Sequence, residues 1–264
     1  MLDSLFLAKL VLSFFAGGII ISGSIWLGEK LGPKWAGLLI GLPTTSAVGL
    51  FFIGFTEGPK IASQAAQISP YVSAICFFYL LGFIALYQKW KKLISSIAIA
   101  LGFWFLAAAS LVYLNANQIW IGAGICFTTI LIVIWIMRKV PNKIAIEKAS
   151  KTEIVYRMVF AGTIIALAVI LARYTGPLWG GVFGTFPAAY TSTMYLVTKK
   201  HGIEFTQSIV KNIPLGAAGL LAYVLMVHYM YPIYGIWIGT ILAYGITLLL
   251  VGILSQIMKT KWFT

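Results

Sequence analysis

Apolar runs of about 20 residues recur from one end of this 264-residue chain to the other. That recurrence leaves few folds open. A helix rises about 1.5 Å per residue, so each run is long enough to cross the ~30 Å hydrocarbon core of a bilayer. Hydropathy and helix breakers predict nine spans, roughly 4–28, 33–55, 68–88, 92–114, 118–138, 154–174, 177–198, 206–231 and 235–258. Barrel strands are excluded, because the runs are too long and too uniformly apolar for an alternating pattern. Composition agrees: 61% of residues are hydrophobic and 9% charged, against roughly 25% charged in a soluble domain. The first run carries Asp3 where a signal peptide has basic residues, and it stays apolar to Leu27, so it reads as a retained helix. The expected fold class is all-α, a polytopic transmembrane helix bundle.

With nine spans the loops alternate between two sides, and the charges choose the orientation. Sixteen of the nineteen Lys and Arg residues fall on one side; only Lys9, Lys60 and Arg173 fall on the other. Cytoplasmic loops collect basic residues, so the N-terminus is expected outside and the C-terminus in the cytoplasm of a bacterial-type inner (plasma) membrane. The net charge of +13 is then a topology signal, and no nucleic-acid partner is expected.

One stretch occurs twice. GPKWAGLLIGLPTTSAVGLFFIGF begins at Gly32, and GPLWGGVFGTFPAAYTSTMYLVTK begins 144 residues later at Gly176. Across the 52 pairs from 31/175 to 82/226, ten are identical. They include Gly32/Gly176, Pro33/Pro177, Trp35/Trp179, Gly37/Gly181, Pro43/Pro187, Gly58/Gly202 and Pro70/Pro214, mostly residues with backbone or close-packing roles that membrane composition alone does not align. Further on, Ile119–Gly122 (IWIG) matches Ile236–Gly239 at an offset of 117, so the second half is shorter there by 27 residues, one helix. Five helices followed by four separate equivalent helices by an odd number of crossings, which predicts inverted 5+4 repeats. The expected organisation is a first repeat over 1–139, a basic cytoplasmic linker over 140–153 and a second repeat over 154–264. The stretches before Pro70 and Pro214 read as interfacial helical turns leading into the next helices, with each proline marking where the chain bends into the bilayer.

Pro43 and Pro187 sit near the middle of the second and seventh spans. A proline there removes a hydrogen bond and clashes with the preceding turn, so both crossings are expected to be kinked or broken. Paired interruptions in two halves point to a transporter's binding site. The downstream half-helices would present free N–H groups and positive dipole ends to the interior. The candidate substrate-binding residues are Pro43, Thr44, Thr45, Ser46, Pro187, Tyr190, Thr191 and Ser192. Packing offers a competing account: Ser and Thr re-satisfy carbonyls at membrane kinks, and Gly37, Gly41, Gly180 and Gly181 let helices close in.

Asp3, Glu29, Glu57, Glu147, Glu153 and Glu204 all lie near predicted span ends, which disfavours cation transport through a buried carboxylate. Lys9 and Arg173 are expected to snorkel to the outer interface, with His228 nearby. Cys76 and Cys126 lie inside apolar spans and read as small packing residues. No nucleophile motif, metal-ligand cluster or phosphate loop appears, so no catalytic residue, metal or cofactor is expected and the chain does not read as an enzyme.

Around Gly180, Phe186 and Pro187, then His201, Gly202, Ile203 and Glu204, the chain resembles the GlpM-like group of small bacterial inner-membrane proteins. Gly37, Pro43, Gly58 and Pro70 look like a second, diverged unit. The resemblance implies a bacterial inner-membrane setting and a duplicated, fused unit, and it names no substrate. The chain departs from the group in length and in its fourth span.

The expected function is a secondary transporter or facilitator of a small anionic or neutral polar solute, working by alternating access around the broken second and seventh spans. The alternatives are a flippase for lipids or lipid-linked phosphates and a non-transporting membrane regulator. Expected partners are the small-molecule or lipid-phosphate substrate, membrane lipids and, in a homo-oligomer, a second copy.

Overall fold

The computed structural model describes residues 4–31, 42–141 and 150–259. Its helices are α1 (Ser4–Leu31), α2 (Thr44–Glu57), α3 (Pro59–Trp90), α4 (Leu93–Tyr113), α5 (Ile119–Met137), α6 (Lys151–Tyr174), α7 (Pro177–Gly184), α8 (Ala188–His201) and α9 (Ile203–Lys259). Six of them, α1, α3, α4, α5, α6 and α9, are long and apolar enough to cross a bilayer among the described residues. The fold is that of a polytopic helical membrane protein. Residues 32–41, with Gly37 and Gly41, and 142–149 of the expected linker lie outside the described residues.

The chain turns at Gly58 and Gly202, and the stretches before Pro70 and Pro214 are helical, continuous with the helices they lead into. Helix α3 runs through Pro70, and α9 runs through Pro214. Each begins directly after a glycine at positive φ, Gly58 at 97° and Gly202 at 81°. A side chain resists that conformation and glycine does not, so the chain turns there. Helix α3 spans 32 residues and ends at Lys91, φ 56°. The matching segment of α9, 203–234, ends at Gly235, where φ is 72° and the helix is interrupted.

Helix α3 is the centre of the molecule. Of its most apolar window 72% is buried, whereas the windows of the other five spanning helices are 22–39% buried. Ala62, Ala65, Ala66, Ser69 and Ser73 contribute to this: small side chains along one stripe of the helix let neighbours close in. The outer helices expose Leu106, Trp135, Ile241 and Leu249, as lipid contact requires.

Helices α1 and α6 cross at two glycines. A Cβ on Gly18 would collide with the carbonyl oxygen of Met158, and a Cβ on Gly162 with that of Phe14. Glycine lets these backbones touch. The contact is reciprocal: Gly18 and Gly162 are 144 residues apart, and so are Phe14 and Met158.

Charged groups gather at two ends. At one, Lys9 Nζ donates to the Phe55 carbonyl at 2.7 Å near the C-terminus of α2, and Arg173 lies 3.7 Å from Glu57. These contacts give Lys9 and Arg173 partners at that end, while His228 there is tied to α3, accepting from the Ser63 hydroxyl through its carbonyl oxygen at 2.7 Å. At the other end Lys200 pairs with Glu153 at 2.8 Å, and a capping box of Ser150 and Glu153 starts α6. Lys9→Met should cost about 1–2 kcal/mol, since a charged donor leaves a part-buried carbonyl. Lys200→Ala should cost under about 1 kcal/mol at its partly exposed pair. Thermal unfolding in detergent reads the order, and equal losses would refute the assignment.

Candidate functional site

The site begins with what proline does to a backbone. Pro187 has no N–H and disfavours a helical conformation in the residue before it, so α7 stops at Gly184 and α8 starts at Ala188. At Pro187 φ is −75° and ψ 48°, and the N–H of Ala188 donates to the Phe186 carbonyl at 2.7 Å. Pro43 repeats this with φ −72°, ψ 33° and Thr44 N–H to Leu42 carbonyl, also 2.7 Å. Both are close to inverse γ-turns.

Each turn leaves a helix start exposed. The first helical bonds are Ala47 N–H to Pro43 carbonyl and Thr191 N–H to Pro187 carbonyl. Neither α2 nor α8 has a side-chain cap. The N–H groups of Thr45, Ser46, Ala189 and Tyr190 therefore have no partner among the described residues. An uncapped helix start away from water calls for a ligand or solvent molecule.

A cavity of about 30 Å³ lies between the two starts, lined by all four of those residues. That volume holds one or two waters or a small ion. Twelve of its fourteen lining residues form six pairs 144 apart: Leu42/Phe186, Pro43/Pro187, Thr45/Ala189, Ser46/Tyr190, Ser73/Ala217 and Cys76/Leu220. Phe77 and Thr185 complete the lining. Helices α2 and α7 are held together nearby, where a Cβ on Gly49 would lie 2.8 Å from the Gly184 Cα.

The polar side chains fall into two sets. Ser73 Oγ donates to the Ser69 carbonyl at 2.7 Å and Thr185 Oγ1 to Ser69 Oγ at 3.0 Å. Trp104 Nε1 donates to Cys76 Sγ at 3.3 Å, and that thiol points to the Thr185 carbonyl at 3.7 Å. These groups brace the wall. The hydroxyls of Thr45, Ser46 and Tyr190 have no partner among the described residues. No lining residue carries charge, so backbone and hydroxyl donors dominate, an arrangement suited to an anion. No group of three His, Cys, Asp or Glu that could hold a metal ion occurs among the described residues.

Of the eight residues singled out from the sequence, Pro43, Thr45, Ser46, Pro187 and Tyr190 line the cavity. Thr44 is buried at the head of α2 and is not among the lining residues. Thr191 and Ser192 turn elsewhere: Thr191 accepts from the Tyr79 hydroxyl at 3.0 Å, Ser192 donates to the Ala189 carbonyl at 3.2 Å, and both face a separate hollow. Successive helical residues point in different directions, so a run of hydroxyls cannot all face one cavity. Ser73, Cys76 and Thr185 escaped sequence reasoning, and Cys76, read as a packing residue, stands in the cavity wall. The only local signal for Ser73 was its place on a helix of small residues. Comparison with protein-family models, with curated proteins and with solved structures finds no match to this chain.

Proposed function

We propose that the chain is a secondary transporter or facilitator of a small polar solute, an inorganic anion foremost, held between the starts of α2 and α8. The observation that carries this is the pair of uncapped, proline-headed helix starts converging on one uncharged cavity. Partial positive charge at both starts favours an anion over a cation. The cavity is small, which favours a compact ion over a large organic solute.

The proposed architecture has nine crossings in two inverted repeats. The second predicted span ends in α2, α7 and α8 form one broken crossing, and Gly235 divides α9 into two. Support comes from the reciprocal Gly18/Gly162 contact, the six paired cavity positions and the matching turns at Gly58 and Gly202. An internal two-fold of this kind lets one half rock against the other and open the same site alternately to each side. The proposed setting is a bacterial-type inner membrane with the N-terminus outside, each half descending from a GlpM-like unit.

Two experiments test this. Proteoliposomes loaded with halides, nitrate, phosphate and small carboxylates should show flux of at least one anion above empty vesicles; no flux and no binding across the panel sinks the transport reading. Independently, Asn117→Cys in intact cells should react with an impermeant maleimide from outside. Protection there would overturn the inverted arrangement.

A further inference from the structure

A second hollow lies on the far face of α8 from the cavity. It has two adjoining parts, about 300 Å³ beside Thr191 and Ser192 and about 430 Å³ beside Lys92 and Lys199, joined through Ile94 and Tyr195. Helices α4 and α6 form its sides. Its lining residues near the rim face outward, with Ile94 72% and Tyr156 53% exposed, so the hollow opens sideways to the bilayer. Only Lys92 and Lys199 among its lining residues are charged, and both sit at the end where most basic residues gather. Lys199 Nζ reaches the Tyr195 hydroxyl at 3.5 Å, which holds the ammonium at the mouth.

The dimensions suit one lipid tail. From Lys92 to Leu101 along α4 is about 14 Å, roughly half of the ~30 Å hydrocarbon core and so the depth of one leaflet. The deep walls are apolar, from Ile97, Leu101 and Phe160. The opposite end of the molecule shows what such a slot demands. Phe51 and Phe55, 144 residues before Tyr195 and Lys199, are covered by the chain's own Trp237, with ring centroids 5.1 and 6.4 Å away, and Lys9 lies over Phe55. No aromatic ring packs on Tyr195 among the described residues. The chain fills one slot with a side chain and leaves the other to the membrane.

We infer that the hollow between α4, α6 and α8 is a binding site for an anionic phospholipid, its phosphate held by Lys92 and Lys199 and one acyl chain laid over Ile97, Leu101 and Phe160. The site is separate from the cavity, with α8 between them, and stands whether or not the cavity carries an anion.

Native mass spectrometry of the full chain, titrated with phosphatidylglycerol or phosphatidylcholine, tests this. The wild type should retain one phosphatidylglycerol in preference to phosphatidylcholine. Lys92→Gln with Lys199→Gln should weaken that retention by about tenfold or more, the scale of losing two basic contacts to a phosphate. Ala98→Trp, on an exposed position of the wall, should weaken it with both lysines intact. Equal retention of phosphatidylcholine, or undiminished phosphatidylglycerol in both variants, overturns the site. Inorganic phosphate binding as tightly as the lipid, with the same lysine dependence, overturns the lipid as its occupant.

Discussion

Pro43→Ala combined with Pro187→Ala should lower anion flux through the reconstituted protein by at least about tenfold while leaving the protein folded. Alanine restores an N–H at both positions and removes the ring that blocks the preceding residue from helical geometry. Each γ-turn can then wind into helix, and the N–H groups of Thr45, Ser46, Ala189 and Tyr190 turn to carbonyls of their own chain. Hydrogen bonds to a charged group contribute about 1.5–3 kcal/mol each, so losing even one from a bound anion exceeds a tenfold change in affinity. Each single variant should fall between wild type and the double. Thermal unfolding separates this from misfolding, because restoring helical hydrogen bonds should not lower stability. Unchanged flux and anion affinity in the double variant would remove the cavity from the transport path.

Gly18→Ala and Gly162→Ala should each destabilise the protein, and by similar amounts. The added methyl meets a backbone carbonyl in both cases, Met158 on one side and Phe14 on the other, and backbone cannot swing aside as a flexible side chain can. Overpacking of this kind costs about 1–3 kcal/mol per site, a large share of a typical total of about 5–15 kcal/mol. The double variant should lose its monodisperse peak on size exclusion. Gly23 on the same helix supplies the control, since a Cβ there meets nothing within 4 Å. Gly23→Ala should be neutral or slightly stabilising, as alanine favours helix over glycine. If Gly18→Ala behaves like Gly23→Ala, the α1–α6 contact is looser than described.

Much of the local structure was legible in the chain because it is written in backbone chemistry. A proline resists the helix interior, and Pro43 and Pro187 stand at helix starts with nearly the same dihedral angles. Pro70 and Pro214 show the converse. Both are buried inside helices that begin after Gly58 and Gly202, each twelve residues earlier, so residue identity alone does not tell a proline at a helix start from one a helix runs through. The partners of Lys9 and Arg173, Phe55 and Glu57, are far away in sequence and were not legible there.

The sequence by itself determined a chain of bilayer-length helices, two prolines that stand at helix starts, and a spacing of 144 that links them. Those properties depend on residues acting over a turn or two, through hydrogen-bond loss, φ restriction and hydropathy. Only the tertiary structure decided which polar groups meet. Ser73 and Cys76 reach the cavity from a helix some thirty residues downstream of Pro43, while Thr191 and Ser192, only four and five residues from Pro187, face away from it. Helix rotation sets that outcome, and for α3 a close backbone approach bears on it, Gly181 against the Ala65 carbonyl. Such contacts join residues more than a hundred positions apart, so no local pattern could reveal them.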